Sequence, residues 1–347
     1  MRKIFQSLEV YRPGFFQSLE NAARQISNDW KFPKFIASAA LFGCLISGCA
    51  GQEKKAEPVA QFDPAAFSGS KALFEVGGLV AIGNRDSGTA GAEKAASYLA
   101  KRLQAAGVTP EIDVFTNVTV GGPKVFRNVI GRIPGGNTNL VVVGSHYDTK
   151  PGIPNFVGAN DSGSSSGVLL ELARVLAKRE RHGPEIQLVF FDGEECVNSY
   201  NELDGFHGSR FHAQKLVEQG RSKTTCMILL DMIGDKDLTV TLAQNNDPKL
   251  ATMFLHAAED DGSRSHFALW SYECGDDHVA FLERGMPAVD IIDFDYGTAP
   301  GRNDYWHTPL DTMDKLSAES LQIIGRVTIR VLNALVDEDV ARSAEKR

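Results

Sequence analysis

The chain has 347 residues, of which 43% are hydrophobic, and this length is sufficient for one large α/β domain with a sizeable core. The formal net charge of −8, without a basic stripe, argues against nucleic acid as a partner, and a surplus of carboxylates suits a cation site. The five cysteines have no CxxC spacing, which argues against both a disulfide scaffold and a cysteine-based zinc site.

Residues 1–49 have the pattern of a secretory signal segment that ends in a lipidated cysteine. Lys31 and Lys34 precede an apolar run, 35–46, which is too short to span a bilayer but suits the hydrophobic region of a signal peptide. The run closes with Leu-Ile-Ser-Gly-Cys49, which is similar to a bacterial lipoprotein signal, so Cys49 is the expected lipidation site. A buried helix and a plain signal peptide are the alternatives.

Residues 50–62 are expected to form a flexible tether, because residues 50–60 are polar and rich in Lys, Glu and Gln. Ala50 is not an acidic retention signal, which favours the outer membrane. The expected location is therefore the cell envelope, with a lipid anchor in the outer membrane and the protein facing the periplasm. Residues 63–347 contain no internal repeat and are expected to form a single domain.

Helices and strands alternate from residue 63 onward, which predicts a mixed, mostly parallel central sheet flanked by helices. Apolar periodicity predicts helices at 64–79, around 95–106, at 168–176, near residue 208 and around 324–335. Alternating or continuous apolar runs predict strands at 111–120, 125–133, 140–144, 188–191, 227–230 and 288–292. This pattern assigns the chain to the α/β class.

Glu194 and Glu195 follow the predicted strand 188–191 after Asp192 and Gly193, and such a strand end is where open α/β sheets place their chemistry. Neighbouring carboxylates repel each other, so an arrangement that keeps both favours different tasks, one on a metal and one on protons. Taken alone, the pair is more often a solvated turn after a strand.

Four further segments place a possible metal ligand at a strand end or just before a helix. His146 follows one strand, and Asp148 is close enough in sequence to bond the other ring nitrogen and fix the tautomer. Asp161 lies in a loop of small residues, Asp231 follows another strand, and His307 lies near the C-terminal end. Such nitrogen and oxygen donors are those that zinc accepts at open catalytic sites.

In this order, the ligand set resembles that of the zinc aminopeptidases of the aminopeptidase Y type, a family that also contains the glutaminyl cyclases. The resemblance covers about residues 88–335 and implies a zinc aminopeptidase-like fold of the phosphorylase/hydrolase type, with a zinc-dependent catalytic domain at 63–347. In the aminopeptidases the matching residues would bind two zinc ions, with Asp161 as the bridge; the other ligands would be His146, Glu195, Asp231 and His307.

The resemblance to glutaminyl cyclases implies one zinc ion instead, bound by Asp161, Glu195 and His307. His146, Asp148 and Asp231 would then be second-metal or supporting residues, since cyclases retain these positions. In either case the resemblance implies that Glu194 acts as the base. The five ligands alone therefore leave both enzymes open.

The loop 196–207 favours the cyclases, because in aminopeptidases the glutamate pair is usually followed within a few residues by Gly-Ser-Arg. The resemblance places Tyr200 and Trp306 at the substrate pocket, with Phe294 and Tyr296 as candidates for a further pocket aromatic.

Two other features follow from the resemblance to the cyclases. Asp231 and Asp276 would be hydrogen-bonded around Glu194 and would raise its pKa by like-charge repulsion, which assigns them a catalytic part. Ser145 and Ser166 stand near where secreted animal cyclases place a disulfide, so that bridge is absent.

We therefore expect a zinc-dependent glutaminyl-peptide cyclotransferase, which converts the N-terminal glutamine of peptides to pyroglutamate and releases ammonia. The alternative is a metallo-aminopeptidase that hydrolyses N-terminal residues with two zinc ions, and a non-catalytic binding domain on the same fold is a third possibility. The expected partners are peptide or protein N-termini and, through the lipid on Cys49, a membrane.

Overall fold

The computed structural model describes residues 62–178 and 182–345. The predicted signal segment, Cys49 and residues 50–61 of the predicted tether lie outside the described residues. The boundaries proposed at residues 49 and 62 therefore stay predictions.

Eight strands are found in the described part of the chain. Their bounds are β1 (Pro110–Thr119), β2 (Gly122–Ile133), β3 (Leu140–His146), β4 (Glu185–Phe191), β5 (Thr225–Asp231), β6 (Val240–Leu242), β7 (Phe267–Leu269) and β8 (Ala288–Ile292). Six of them form the central sheet in the order β1-β2-β4-β3-β5-β8, and β6 pairs with β7 separately. β2 pairs antiparallel with β1 and β4, whereas β4, β3, β5 and β8 are parallel to one another. The predicted mixed, mostly parallel sheet is confirmed.

Seven α-helices belong to the same described residues. Their bounds are α1 (Gly69–Val80), α2 (Ala90–Ala105), α3 (Ser165–Leu176), α4 (His207–Glu218), α5 (Pro248–Asp261), α6 (Val279–Leu282) and α7 (Ala318–Glu345). Within the described ranges, no helix combines the length and the apolar character needed to cross a bilayer.

The predicted opening helix at 64–79 is wrong at its N-terminal end. Pro64–Ala66 form a separate 3-10 turn, and α1 begins only at Gly69. Ser68 separates the two because it has extended backbone angles and its hydroxyl accepts a hydrogen bond from the backbone N–H of Lys71. A serine in this position caps a helix N-terminus and so fixes where the helix starts.

Helices cover both faces of the sheet because successive side chains of a strand point to opposite faces. On β4, Leu188 and Phe190 join a large core with residues of α1, α2, α3, α5 and α7. Val189 and Phe191 point the other way, into a smaller core with residues of α4 and α6. All seven residues of β3 are buried, as expected for a central parallel strand covered on both sides.

Hydroxyl groups occupy the place where the resemblance puts a disulfide in secreted animal cyclases. Ser145 Oγ lies 3.2 Å from Ser166 Oγ and 2.8 Å from Ser165 Oγ, and all three residues are buried. The cysteines within the described residues, Cys196, Cys226 and Cys274, are free. Polar contacts therefore join β3 to α3.

His212 on α4 is a buried histidine that no sequence pattern predicted. Its ring lies against Phe191 and Phe281, with ring centroids 6.1 and 6.3 Å away, and burial lowers its pKa to about 3. The unfolded chain protonates this ring below its ordinary pKa of 6.5. The stability that the neutral His212 ring contributes to the folded chain is therefore fully present above pH 6.5, and it is lost as the pH falls from 6.5 toward 3.

We expect the substitution His212→Leu to remove this acid sensitivity. Between pH 7 and pH 5 the free energy of unfolding should fall by about 2 kcal/mol less in the variant than in the wild type. Urea unfolding at the two pH values measures both falls, and equal falls in the two proteins would contradict the assignment.

Candidate active site

Side chains from three neighbouring strands meet at one edge of the sheet. β4, β3 and β5 lie side by side and are parallel, so their carboxyl ends lie at the same edge. His146 is the last residue of β3, Asp231 is the last residue of β5, and Glu194 and Glu195 follow β4 closely. Because the three strands are parallel neighbours, the residues at their carboxyl ends lie close together, as the sequence predicted.

Asp161, Glu195 and His307 form one group whose ligand atoms all lie within 4.8 Å of one another. His307 Nε2 lies 3.1 Å from Glu195 Oε1 and 3.3 Å from Asp161 Oδ2. Both carboxylates are buried, with 2% and 6% of their residue surface exposed. Buried carboxylates need a compensating positive charge, and two carboxylates with one imidazole are a donor set that zinc accepts.

A second group shares Asp161 with the first. His146 Nε2 lies 3.1 Å from Asp161 Oδ1 and 3.4 Å from Asp231 Oδ1, and these ligand atoms also lie within 4.8 Å of one another. Asp161 thus presents one oxygen to each histidine. The geometry provides two three-ligand sets that share the carboxylate of Asp161, so it does not fix the number of ions.

The histidines determine the charge of Asp161. Burial alone would raise the pKa of this carboxyl, but hydrogen bonds from His146 and His307 hold its pKa below the ordinary value. Burial and the nearby charge of Asp161 raise the pKa of Glu195. Asp161 therefore carries the more strongly stabilised negative charge of the two.

Asp311 supports the backbone that carries Asp161. Its two carboxylate oxygens accept hydrogen bonds from the backbone N–H groups of Asn160 and Asp161, at 2.8 and 3.1 Å, and the Tyr296 hydroxyl donates to it at 2.7 Å. Tyr296 is completely buried, so its candidacy as a pocket aromatic is wrong. Its hydroxyl supports the loop of Asp161 through Asp311, and Phe294 reaches the pocket instead.

Asp148 contacts the backbone of both glutamates in addition to His146, the contact expected from the sequence. Its Oδ1 lies 3.5 Å from His146 Nδ1, and its two oxygens accept hydrogen bonds from the backbone N–H groups of Glu194 and Glu195, at 3.1 and 3.2 Å. One carboxylate therefore holds both glutamates at the end of β4. Sequence spacing reveals the histidine contact but gives no signal for the backbone contacts.

Glu194 lies in a buried, negatively charged environment. Burial raises the pKa of its carboxyl well above the ordinary value, and the charges of Glu195 and Asp276 raise it further. The Tyr200 hydroxyl lies 3.4 Å from Glu194 Oε2. A carboxyl with a raised pKa is suited to accepting and returning a proton near neutral pH.

The hydrogen bonds expected from Asp231 and Asp276 to Glu194 are not found among the described residues. Asp231 faces His146 instead, and Asp276 Oδ1 accepts a hydrogen bond from the backbone N–H of Asp277 at 2.6 Å. Asp276 therefore acts on Glu194 through its charge, since that charge raises the glutamate's pKa.

The loop 196–207, whose length favoured the cyclases, is held by Asp204. This carboxylate accepts hydrogen bonds from three consecutive backbone N–H groups, at 2.5, 2.8 and 3.1 Å, which belong to Val197, Asn198 and Ser199. Tyr200 follows these residues and stacks on Phe206 with ring centroids 4.5 Å apart. The loop therefore presents the Tyr200 ring in a fixed position.

Lys150 is a charged neighbour of the first ligand group that sequence spacing did not single out. Its Nζ lies 3.3 Å from Glu195 Oε2 and 3.1 Å from Cys196 Sγ. The ammonium group therefore partly balances the charge of Glu195 on the side away from His307.

A cavity of about 220 Å³ opens beside Glu194 and both ligand groups. Tyr200 and Trp306, the two predicted pocket residues, lie on its wall. Three further aromatic residues line it: Phe294, which was one of the candidates, and Trp270 and Tyr272, which sequence reasoning missed. The cavity is thus lined by carboxylates on one side and by aromatic side chains on the other.

Comparisons with known proteins agree with this geometry. Residues 128–332 match the model of peptidase family M28. A glutaminyl-peptide cyclotransferase of Bos taurus is 30% identical over 266 residues, which are 65% of this chain and 71% of that protein. An Acidobacteriales bacterium glutaminyl cyclase structure is 37% identical with a TM-score of 0.75, covering 80% of this chain and 98% of that one.

A zinc-binding relative is also similar. The structure of a Zn-dependent exopeptidase from Parabacteroides distasonis is 29% identical with a TM-score of 0.68, and the match covers 79% of this chain and 99% of that one. The chain is therefore similar both to a cyclase and to a zinc-dependent exopeptidase, with the higher identity to the cyclase.

Proposed function

The chain belongs to peptidase family M28, and we propose that its cavity cyclises the N-terminal glutamine of peptides, with one zinc ion and with Glu194 as the proton carrier. The observation that carries the proposal is the position of Glu194. Its buried carboxylate lies at the cavity beside the ligand set of Asp161, Glu195 and His307.

The proposed zinc ligands are Asp161, Glu195 and His307. Bound there, zinc would act as a Lewis acid that polarises the side-chain carbonyl of the substrate glutamine. His146, Asp148 and Asp231 would position these ligands: His146 through its contact with Asp161, Asp148 through the backbone of the glutamates, and Asp231 through His146.

Glu194 is proposed to carry one proton through the reaction. The α-amine nitrogen of the substrate attacks the γ-carbonyl carbon of the same residue, the new C–N bond closes the five-membered ring, and the C–N bond to the side-chain nitrogen breaks. Glu194 takes a proton from the attacking amine and returns it to the leaving nitrogen, which departs as ammonia. Asp276 supports this by keeping the pKa of Glu194 raised.

Tyr200 and Trp306 are proposed to hold the glutamine side chain between aromatic surfaces. Both lie on the wall of the same cavity as Glu194. Since the nucleophile and the carbonyl belong to one residue, holding that residue in a folded shape supplies much of the rate.

The experiment that tests this function offers two peptides to the purified protein with zinc, one with N-terminal glutamine and one with N-terminal leucine. We expect ammonia and a product 17 Da lighter from the first peptide, measured by mass spectrometry, and no change in the second. Release of free leucine without any cyclisation would instead establish the aminopeptidase, which the second ligand group around His146 could serve.

We also propose that the protein is an exported lipoprotein of the cell envelope, anchored in the outer membrane through Cys49. The apolar run 35–46 and the Leu-Ile-Ser-Gly-Cys49 sequence support this. Mass spectrometry of the mature N-terminus tests it: a diacylated cysteine at position 49 is the expected result, and an unmodified chain that retains residues 1–48 would refute it.

A further inference from the structure

Four aromatic side chains lead from the ligand His307 to the protein surface, and we call them the aromatic wall: Trp306, Phe294, Trp270 and Tyr272. Trp306 stacks on His307 with ring centroids 3.9 Å apart. The next centroid distances are 5.1 Å from Trp306 to Phe294, 5.7 Å from Phe294 to Trp270 and 5.8 Å from Trp270 to Tyr272. The wall is thus continuous with the catalytic cavity.

Backbone hydrogen bonds fix the outer half of the aromatic wall. The backbone N–H of Trp270 donates to the carbonyl of Leu242 at 2.8 Å, and the carbonyl of Tyr272 accepts from the N–H of Gln244 at 2.9 Å. The side chain of Asn245 then bonds both the N–H and the carbonyl of Cys274. The backbone that carries the two outer rings is therefore held in place before any substrate arrives, which lowers the entropy lost on binding.

The size of the cavity limits how much of a substrate peptide it can hold. A volume of about 220 Å³ is below the range of roughly 300–1,000 Å³ that is typical of pockets enclosing a drug-sized ligand. It has room for about one residue beside Glu194, so a longer peptide would extend toward the mouth of the cavity, where Trp270 and Tyr272 line it. The aromatic wall continues in that direction, and at its outer end 66% of Tyr272 is exposed to solvent.

We propose that the outer part of the aromatic wall, Trp270 and Tyr272, is a subsite for the side chain of the second residue of the substrate peptide, and that it favours an aromatic or large apolar side chain. This rests on the proposed function, because it takes the glutamine to be bound beside Glu194. Flat rings bind other rings and apolar groups well, and the exposed ring of Tyr272 beside the half-buried ring of Trp270 offers such a surface next to the cavity.

The charge around the subsite also limits which side chain can occupy the second position of the substrate. Glu273 is exposed beside Tyr272, and Glu194, Asp231 and Asp276 line the cavity itself. An acidic side chain at the second position would therefore be repelled. The expected order of preference is phenylalanine first, glycine second and glutamate last.

The experiment mixes two peptide amides in one tube, Gln-Phe-Ala and Gln-Gly-Ala, and follows both pyroglutamyl products by mass spectrometry. Such competition gives the ratio of the two kcat/KM values independently of how much enzyme is active. For the wild type we expect a ratio of about ten in favour of Gln-Phe-Ala, which corresponds to about 1.4 kcal/mol. The substitution Tyr272→Ala should lower the ratio at least threefold, and Tyr272→Phe should restore it.

Leu269→Ala is the matched control, because Leu269 lies on the same segment, is 71% exposed and does not line the cavity. The ratio of this variant should equal that of the wild type. A wild-type ratio near one, or a ratio that Tyr272→Ala leaves unchanged, would overturn the subsite while leaving the cyclase function intact. Failure of both peptides to cyclise would overturn the proposed function and the subsite with it.

Discussion

The substitution Glu194→Gln is expected to slow pyroglutamate formation by about a thousandfold, in line with the roughly 10²–10⁴-fold contribution of a general acid–base group. Glutamine has nearly the same shape but cannot accept the proton of the attacking amine. The raised pKa of Glu194 and its buried position at the cavity are the physical basis of this expectation. The measurement is kcat on a glutaminyl peptide, together with zinc content by elemental analysis.

The neighbouring residue provides the matched comparison. Glu195→Gln changes the same kind of side chain one position away, and it is expected to reduce bound zinc because Glu195 belongs to the ligand set with Asp161 and His307. Glu194→Gln should keep the zinc content of the wild type. If Glu194→Gln loses its metal, or retains more than a tenth of the wild-type rate, the division of tasks between the two glutamates is wrong.

Removal of zinc with a chelator is expected to reduce activity to below about 1% of its starting value, since the polarised carbonyl is essential to the reaction. It should also lower the melting temperature by about 5 °C or more, because a ligand that binds only the folded chain stabilises it. Without zinc, the buried carboxylates of Asp161 and Glu195 have the rings of His146 and His307 and the ammonium group of Lys150 as nearby cationic partners. Activity and thermal unfolding before and after chelation measure both effects.

Adding zinc back in steps determines the number of ions. Activity should return fully at one equivalent per chain, and His307→Ala should fail to recover, whereas His146→Ala should still bind one equivalent. A break at two equivalents, with equal loss of zinc in the two histidine variants, would show that the group around His146 holds an ion that the reaction needs.

The parts of the fold that sequence predicted are those with a local signal. The central strands β3 and β5 are continuous apolar runs, and such runs are typical of buried parallel strands. His146 and Asp231 end these two strands, so their convergence with Glu194 followed from the parallel arrangement. The prediction of a cyclase, in contrast, depended on the resemblance to known cyclases, chiefly in the loop 196–207.

The parts that sequence did not predict depend on contacts between distant segments. Trp270 and Tyr272 reach the cavity only because the segment after β7 bonds to Leu242 and Gln244, and strands of three residues leave no periodic pattern. Asp148 reaches the backbone of Glu194 across 46 positions in sequence. Spacing along the chain carries no information about such contacts.

The hydroxyl cluster of Ser145, Ser165 and Ser166 joins β3 to α3 at the place where secreted animal relatives are expected to have a covalent bridge. Within the described residues, the protein therefore has no bond that a thiol reductant could break. Folding of residues 62–178 and 182–345 therefore needs no oxidant and no disulfide isomerase.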